Sequence, residues 1–186
     1  MKKKQKLASF LKALIVNPRE TGAVLPSSRF LAKEMVSHVV HREDMVLELG
    51  AGTGVITQAL IDNGISPDNI VVIETSNELV KSLRAHFPAL NIIEGNAAHV
   101  TTLLTDEVHG INTIVSSLPL RSLPKSITRS ILKEICAILP VGGRYIQYTY
   151  GIKQHEYEMD SRWEKVYSKR IWLNLPPARV DVWVKK

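Results

Sequence analysis

Cysteine is nearly absent from this chain: Cys136 is the single one among 186 residues, so no internal disulfide can form. Because Cys136 lies in the apolar run 131–139, we expect a buried, reduced thiol and a cytoplasmic protein. Long apolar runs are also lacking, since none approaches the roughly 18 residues that a membrane-spanning helix needs. The basic start resembles a signal peptide, but Lys12 interrupts the apolar stretch and no small-residue cleavage site follows it. We therefore expect neither a cleaved leader nor a membrane span.

Net positive charge is scarce outside the first 20 residues. Residues 1–20 hold six basic and one acidic side chain, which accounts for +5 of the net +6, so the rest of the chain is nearly neutral. This distribution argues against a uniformly basic nucleic-acid binder. The apolar side chains of the arm share one face of a helix: Leu7, Phe10, Leu11, Leu14 and Ile15. We predict that residues 1–20 form a basic amphipathic arm whose residues 1–16 bind an anionic membrane surface, the alternative being a helix packed on its own domain or a partner.

Residues 21–186 alternate between strand-like and helix-like segments, which predicts one α/β domain with a parallel sheet covered by helices on both faces. A helix is predicted over Pro26–Val39, with Ser27 or Ser28 as its cap. The predicted strands are Met45–Leu49, Ile70–Glu74, Asn91–Glu94, Ile111–Ser116 and Arg144–Tyr150. The helices between them are predicted over Val55–Asp62, Asn77–Phe87, His99–Leu104 and Lys125–Leu139. Two final strands, Glu164–Leu173 and Arg179–Val184, are joined too closely for a crossover helix and should form an antiparallel hairpin at the sheet edge.

A glycine motif, Glu48-Leu49-Gly50-Ala51-Gly52-Thr53-Gly54, follows the first strand and opens a helix, where α/β sheets bind ligands. Glu74 ends the next strand, at the separation expected of an acid that binds ribose hydroxyls. The glycines are spaced G-x-G-x-G rather than G-x-G-x-x-G, and a carboxylate at Glu48 would repel a pyrophosphate. That carboxylate suits the ammonium and sulfonium of S-adenosylmethionine. The alternative is a tight turn beside a coincidental acid.

With these motifs the chain resembles the seven-strand, Rossmann-like methyltransferases. The resemblance implies a mostly parallel sheet whose last strand inserts beside the fifth, with S-adenosylmethionine as cofactor and S-adenosylhomocysteine as product. Glu94-Gly95-Asn96-Ala97 resembles the segment that meets the adenine, although Asn96 replaces the usual acid. The cofactor-binding residues that it implies are Glu48, Gly50, Ala51, Gly52, Thr53, Gly54, Glu74, Thr75, Asn96, Ala97 and Ser116.

The segment after the fourth strand, Ser117-Leu118-Pro119-Leu120, bears on the methyl acceptor. The rRNA adenine dimethyltransferases have Asn or Asp, an apolar residue, Pro, then Tyr or Phe here. An aromatic amine needs a carbonyl acceptor and a stacking ring, which Ser117 and Leu120 do not supply. Segments 17–28, 116–120, 147–151 and 172–178 resemble bacterial phospholipid N-methyltransferases. This resemblance implies methylation of phosphatidylethanolamine towards phosphatidylcholine, at the inner face of the cell membrane, with no nucleic-acid partner. Ornithine-lipid methyltransferases remain an alternative.

The candidate catalytic residues are Tyr148, Tyr150 and Ser117. Tyr148 and Tyr150 share one face of the fifth strand, where their rings can hold a methylated ammonium by cation–π contact or simply pack beneath a helix. Arg121 or Arg144 is a candidate for the lipid phosphate. A lipid amine with a pKa of about 10 mainly needs alignment once neutral, so no dedicated base is required. The histidines have no evident partners, and we expect no metal.

Overall fold

The computed structural model describes residues 29–104, 110–150, 159–174 and 176–186. The predicted arm, residues 1–20, and the predicted helix caps at Ser27 and Ser28 lie outside them. The described helices are α1 (Arg29–Val36), α2 (Val55–Asp62), α3 (Asn77–His86), α4 (Val100–Leu103) and α5 (Lys125–Ile138). The strands are β1 (Met45–Leu49), β2 (Ile70–Glu74), β3 (Asn91–Glu94), β4 (Ile111–Ser116), β5 (Arg144–Tyr150), β6 (Trp163–Ile171) and β7 (Ala178–Lys185).

The described strands form one seven-stranded sheet in the order β3-β2-β1-β4-β5-β7-β6. Strands β1 to β5 pair in parallel, whereas β7 runs antiparallel to both β5 and β6. Leu49, Ser116 and Gln147 lie at one level of the register, which aligns the carboxyl ends of β1 and β4. The predicted fold, including the insertion of the last strand beside the fifth, is confirmed.

Helices cover both faces of the sheet, because the parallel strands are apolar on both sides. On one face, α1, α2 and α3 pack on a cluster that contains Val46, Val72 and Ile146. On the other face, α5 buries Ile131 and Ile135 against Leu47 and Tyr145. Cys136 of α5 is buried as predicted, as a free thiol. Among the described helices, none is long and apolar enough to cross a bilayer.

Several elements end earlier than their predicted bounds. Helix α1 ends at Val36 rather than near Val39, because the next turns close with tighter bonds, including Val39 N–H to the Val36 carbonyl at 3.1 Å. Strand β6 ends at Ile171 rather than Leu173, because Ile171 opposite Ala178 is the last pair of the hairpin. Trp172 and Leu173 therefore belong to the turn between β6 and β7.

Candidate active site

The glycine loop lies between the carboxyl end of β1 and the start of α2. Gly52 has a φ of 59°, in the left-handed region, and a Cβ placed there would meet no atom within 4 Å. A Cβ at Gly50 would lie 2.7 Å from Cδ2 of Leu118, and one at Gly54 would lie 2.7 Å from Cε2 of Phe87. Gly50 and Gly54 therefore allow close packing of the protein on itself. Gly52 leaves its backbone open towards the space in front of the loop.

Glu74, at the end of β2, is buried and holds this loop. Its Oε2 accepts a hydrogen bond from the Gly52 N–H at 3.0 Å. Its Oε1 accepts from the N–H groups of Thr75, at 2.7 Å, and Ser76, at 2.9 Å. Oγ1 of Thr75 also donates to Oε1, at 3.4 Å, so the acceptor capacity left for a ribose hydroxyl lies on Oε2, which accepts a single bond from the described residues. Glu74 thus ties the glycine loop to the start of α3, and its ribose contact stays a prediction.

Glu48 is fully buried beneath the glycine loop. Its Oε2 accepts a hydrogen bond from Oγ1 of Thr57, at 2.7 Å, while its Oε1 has no partner among the described residues. Burial raises the pKa of Glu48 to about 7; the charge of Glu74 adds to the rise and the bonds from Thr57 oppose it. A buried acceptor without a donor is costly, and a cationic group near it would lower the energy of the site. The predicted contact with the cofactor's ammonium stays a prediction.

The adenine-side residues follow β3. Asn96 Oδ1 accepts a hydrogen bond from the Ala98 N–H, at 2.9 Å, and thereby caps a short 3₁₀ turn over Ala97–His99. That oxygen has a second lone pair, so its use as a cap is compatible with the predicted bond to an adenine amino group. Ala97 is buried and Thr75 half-buried at this edge. Their cofactor contacts stay predictions, as do those of Ala51, which is buried, and Thr53, which is exposed.

The segment after β4 closes over the glycine loop. The Ser117 N–H donates to the Leu49 carbonyl at 2.9 Å, and Leu118 packs against Gly50. Ser116 is buried, and its Oγ accepts from the Leu118 N–H at 3.3 Å. Leu120 is buried in the core. This wall is therefore apolar, and its half-buried polar side chain is Ser117.

Strand β5 carries the two candidate tyrosines: Tyr148 is buried in the core cluster that contains Val46 and Ile146, and half-buried Tyr150 packs against that cluster, so their contact with a methyl acceptor stays a prediction. The rings of Tyr148 and Tyr150 meet edge to face, with centroids 5.0 Å apart, which confirms that they share one face. Arg121 donates from Nη1 to the Tyr150 carbonyl at 3.1 Å and so lies beside the same strand end. Arg144 begins β5, six residues and about 20 Å from Tyr150. The expectation that Arg144 meets a lipid phosphate is therefore wrong, because it lies at the opposite edge of the sheet.

The expectation that the histidines have no partners is also wrong for His38. Its ring lies on that of Tyr167, with centroids 4.1 Å apart, and its Nε2 is 3.7 Å from Glu34 Oε1. Glu34 also accepts from Tyr167 Oη and pairs with Lys169 at 2.9 Å. Burial lowers the pKa of His38, which favours the neutral ring. This network joins α1 to β6, which lies four strands away from β1 in the sheet. Because it is remote from the glycine loop that follows β1, we interpret it as a structural contact. No group of three or more metal-ligating side chains occurs within the described ranges.

Two polar residues that support the site were not predicted from the sequence. Thr57, nine residues after Glu48, faces it from the first turns of α2. Gln147 is buried in β5, and its Nε2 donates to the Leu118 carbonyl at 3.1 Å, which holds the acceptor wall in place. The sequence could have pointed to Gln147, because it is a polar residue in a strand that is expected to be buried. It gives no such signal for Thr57, because the helix around Thr57 contains other polar residues.

Strand order, glycine loop and the acid at the end of β2 define the class of nucleotide-binding α/β proteins with a seven-stranded sheet. Residues 46–143 match the family model described as a methyltransferase domain. The chain therefore belongs to the S-adenosylmethionine-dependent methyltransferases, and S-adenosylmethionine is its cofactor.

The chain is similar in sequence to other methyltransferases, and solved structures share its fold. The chain is 29% identical to an ornithine lipid N-methyltransferase of Singulisphaera acidiphila over 134 residues, 69% of each chain. It is 31% identical over 124 residues, 62% of its length, to ribosomal RNA small subunit methyltransferase A of Psychrobacter cryohalolentis, of which it spans 42%. A TehB-like S-adenosylmethionine-dependent methyltransferase of Corynebacterium glutamicum superposes with a TM-score of 0.66 at 16% identity, over 98% of this chain and 100% of that one. The glycopeptide N-methyltransferase MtfA, solved with S-adenosylhomocysteine, gives 0.61 at 13% identity, over 87% and 91%.

The residues present fit this cofactor on two structural observations. Gly52 leaves open space where a ligand can approach the loop backbone, and Glu48 holds a buried oxygen without a donor. A positively charged methionine moiety matches that oxygen better than a phosphate does. Glu74, Thr75 and Asn96 are the residues that would hold the adenosine, and the loop 50–54 would hold the methionine side.

Proposed function

We propose that this protein transfers methyl groups to the primary amine of a membrane lipid, either an ethanolamine phospholipid or an ornithine lipid. The observation that carries the proposal is the make-up of the acceptor side. Ser117 and buried Leu120 stand where an adenine-specific enzyme needs an amide acceptor and a stacking ring. The aromatic pair Tyr148 and Tyr150 lies instead on the neighbouring strand.

The chemistry of a lipid amine matches these residues. With a pKa of about 10, about 0.1% of the amine is neutral at pH 7, and deprotonation there costs roughly 4 kcal/mol. The neutral amine is a strong nucleophile, so the protein mainly has to align it. The bound cofactor supplies an electrophilic methyl group on a sulfonium. Tyr148 and Tyr150 would stabilise the alkylated ammonium by cation–π contact, worth about 0.5–2 kcal/mol.

An adenine acceptor fits the structure less well. Adenine nitrogen is delocalised into its ring, and enzymes that act on a nucleobase hold it by stacking and by hydrogen bonds to its edge. Ser117 is the half-buried polar side chain of the wall after β4, and it lacks a carbonyl oxygen. The relatives that act on ribosomal RNA are longer, and this chain spans less than half of the one from Psychrobacter cryohalolentis.

The identity of the lipid divides into two cases. Phosphatidylethanolamine is the acceptor implied by the resemblance of segments 17–28 and 172–178 to the phospholipid enzymes. An ornithine lipid is favoured by the relative from Singulisphaera acidiphila. Both headgroups present an amine in the interfacial plane of the bilayer, so one acceptor site serves either proposal.

We also propose that the protein works at the inner face of the cell membrane. The basic arm, residues 1–16, would bind anionic lipids there, with each lysine near the surface contributing about 1 kcal/mol. The arm lies outside the described residues, and its support is the concentration of positive charge in residues 1–20.

Transfer of labelled methyl groups from S-adenosylmethionine tests the proposal. Vesicles containing phosphatidylethanolamine, vesicles containing an ornithine lipid, and unmodified rRNA are offered separately. We expect label in a lipid, and a rate that rises between about pH 7 and pH 9 as more amine becomes neutral. Gly52→Ala should lower the rate by closing the ligand space, whereas Gly142→Ala, at an equally open left-handed glycine, should not. Label in adenine with none in either lipid would contradict the proposal.

A further inference from the structure

The turn between β6 and β7 projects beyond the ligand edge of the sheet. Tyr150, Ala178 and Ile171 lie at one level, where β5, β7 and β6 end together. That level is three residues, about 10 Å, past Gln147, which is level with the end of β1. The turn after Ile171 therefore begins further out than the end of β1 and on the same edge.

This turn reverses the usual distribution of polar and apolar side chains. Trp172 is 63% exposed and Leu173 is 72% exposed. The polar residue beside them, Asn174, is only 2% exposed and donates from Nδ2 to the Pro176 carbonyl at 2.7 Å. The turn therefore presents two adjacent apolar side chains to solvent and buries its amide. The two other tryptophans, Trp163 and Trp183, are buried.

Positive charge flanks the exposed pair. Arg170 and Arg179 lie directly opposite each other on β6 and β7, an unfavourable pairing of like charges. Asp181 balances Arg179, from which it accepts bonds at 2.8 Å and 2.7 Å. Within the part of the chain that the structure describes, Arg170 has no acidic partner and is exposed. An aromatic and an aliphatic side chain of the turn thus lie beside a guanidinium on β6 that has no acidic partner among the described residues.

We propose that Trp172 and Leu173 enter the headgroup region of an anionic bilayer while Arg170 meets lipid phosphates. Tryptophan favours this interface, and arginine binds phosphate oxygens through paired N–H groups. Two projecting side chains are too small a surface for a stable protein complex, which usually buries more than about 1,000 Å². The contact would place the mouth of the site, at Tyr150, against the membrane. This inference rests on the proposed lipid acceptor.

Trp172 itself reports on the contact, because the other tryptophans are buried. The full chain is mixed with vesicles of phosphatidylglycerol and phosphatidylethanolamine, and cosedimentation establishes the bound fraction. We expect tryptophan emission of the bound protein to move to shorter wavelength and to be quenched by brominated lipids. Trp172→Phe should bind but lose this signal. Unchanged emission in a bound fraction, or no binding to the vesicles, would overturn the inference.

Methyl transfer separates this inference from the proposed function. Trp172→Ser combined with Leu173→Ser should lower transfer to vesicle lipid about tenfold or more, but leave transfer to a detergent-dispersed short-chain ethanolamine lipid unchanged. Val141→Ser is the matched control, since Val141 is 75% exposed in the turn before β5, at the opposite edge. Equal transfer to vesicles by the double variant and the wild type would overturn the inference. An emission shift without transfer to any lipid would support the membrane contact and contradict the proposed function.

Discussion

The buried carboxyl of Glu48 makes the stability of the protein depend on pH. Burial raises its pKa from the ordinary value of 4.5 to about 7 in the folded protein. Between these values the folded state holds a proton that the unfolded chain has released. The free energy of unfolding therefore falls as pH rises from 4.5 to about 7, and this contribution is constant above that range.

The size of this change follows from the two pKa values. The interval from 4.5 to about 7, at about 1.36 kcal/mol per pH unit, corresponds to about 3 kcal/mol. Glu48→Gln keeps the shape of the side chain but does not ionise. The amide N–H₂ of the variant would be a buried donor without an acceptor. This lowers the free energy of unfolding by about 1–3 kcal/mol, by the same amount at every pH. The quantity to measure is therefore the difference in the free energy of unfolding between the wild type and Glu48→Gln, followed as a function of pH.

Urea unfolding between about pH 4.5 and pH 8 measures that difference. We expect the stability of Glu48→Gln, relative to the wild type, to improve by about 3 kcal/mol across the range. Glu164→Gln makes the same chemical change at an exposed glutamate of β6 and serves as the control. A difference that stays constant with pH would refute the reasoning. If the Glu48 carboxylate contacts the cofactor's ammonium, saturating S-adenosylhomocysteine should lower the pKa of Glu48. The pH range over which the wild-type stability falls should then move to lower pH.

Three further substitutions test the binding residues. Gly52→Ala should weaken S-adenosylhomocysteine binding about tenfold or more in calorimetry, because the added methyl group enters ligand space. Gly142→Ala should lose similar stability but bind the ligand normally. Equal binding by the two variants would count against the role of Gly52. Glu74→Ala should weaken binding by at least about tenfold, since it removes the predicted ribose acceptor and releases the N–H groups of Gly52, Thr75 and Ser76; wild-type affinity would exclude that role. Tyr148→Leu should raise KM for the lipid about two- to fivefold with little change in kcat, while Tyr148→Phe should not; equal effects would indicate packing rather than cation–π contact.

The sheet could be predicted from the sequence because its central parallel strands are buried on both faces. Continuous apolar runs such as Ile70–Glu74 stand out between helices, and the glycine loop follows β1 directly. The short link between Ile171 and Ala178 allows only an antiparallel pairing. Local signals of this kind locate strands, turns and the ligand edge.

The chemistry within the site could not be read from the sequence, because it depends on contacts between distant elements. The bond from Thr57 to Glu48 joins a helix to a strand, and Gln147 meets the Leu118 carbonyl across 29 residues. Arg144 was expected near the ligand because charge alone does not show at which end of a strand a residue lies. The burial of Asn174 between the strands' ends, beside the exposed Trp172 and Leu173, also becomes visible only in the folded turn.

The central claim, methylation of a lipid amine, is tested most directly by mass spectrometry of lipids extracted from cells that express the protein. The host should contain both phosphatidylethanolamine and an ornithine lipid, with Gly52→Ala and Gly142→Ala expressed in parallel. The account predicts new headgroups, each heavier by whole methylene increments, in the wild type and Gly142→Ala and fewer in Gly52→Ala. Unmodified lipids in all strains, together with newly methylated adenine in ribosomal RNA of the wild type, would contradict it.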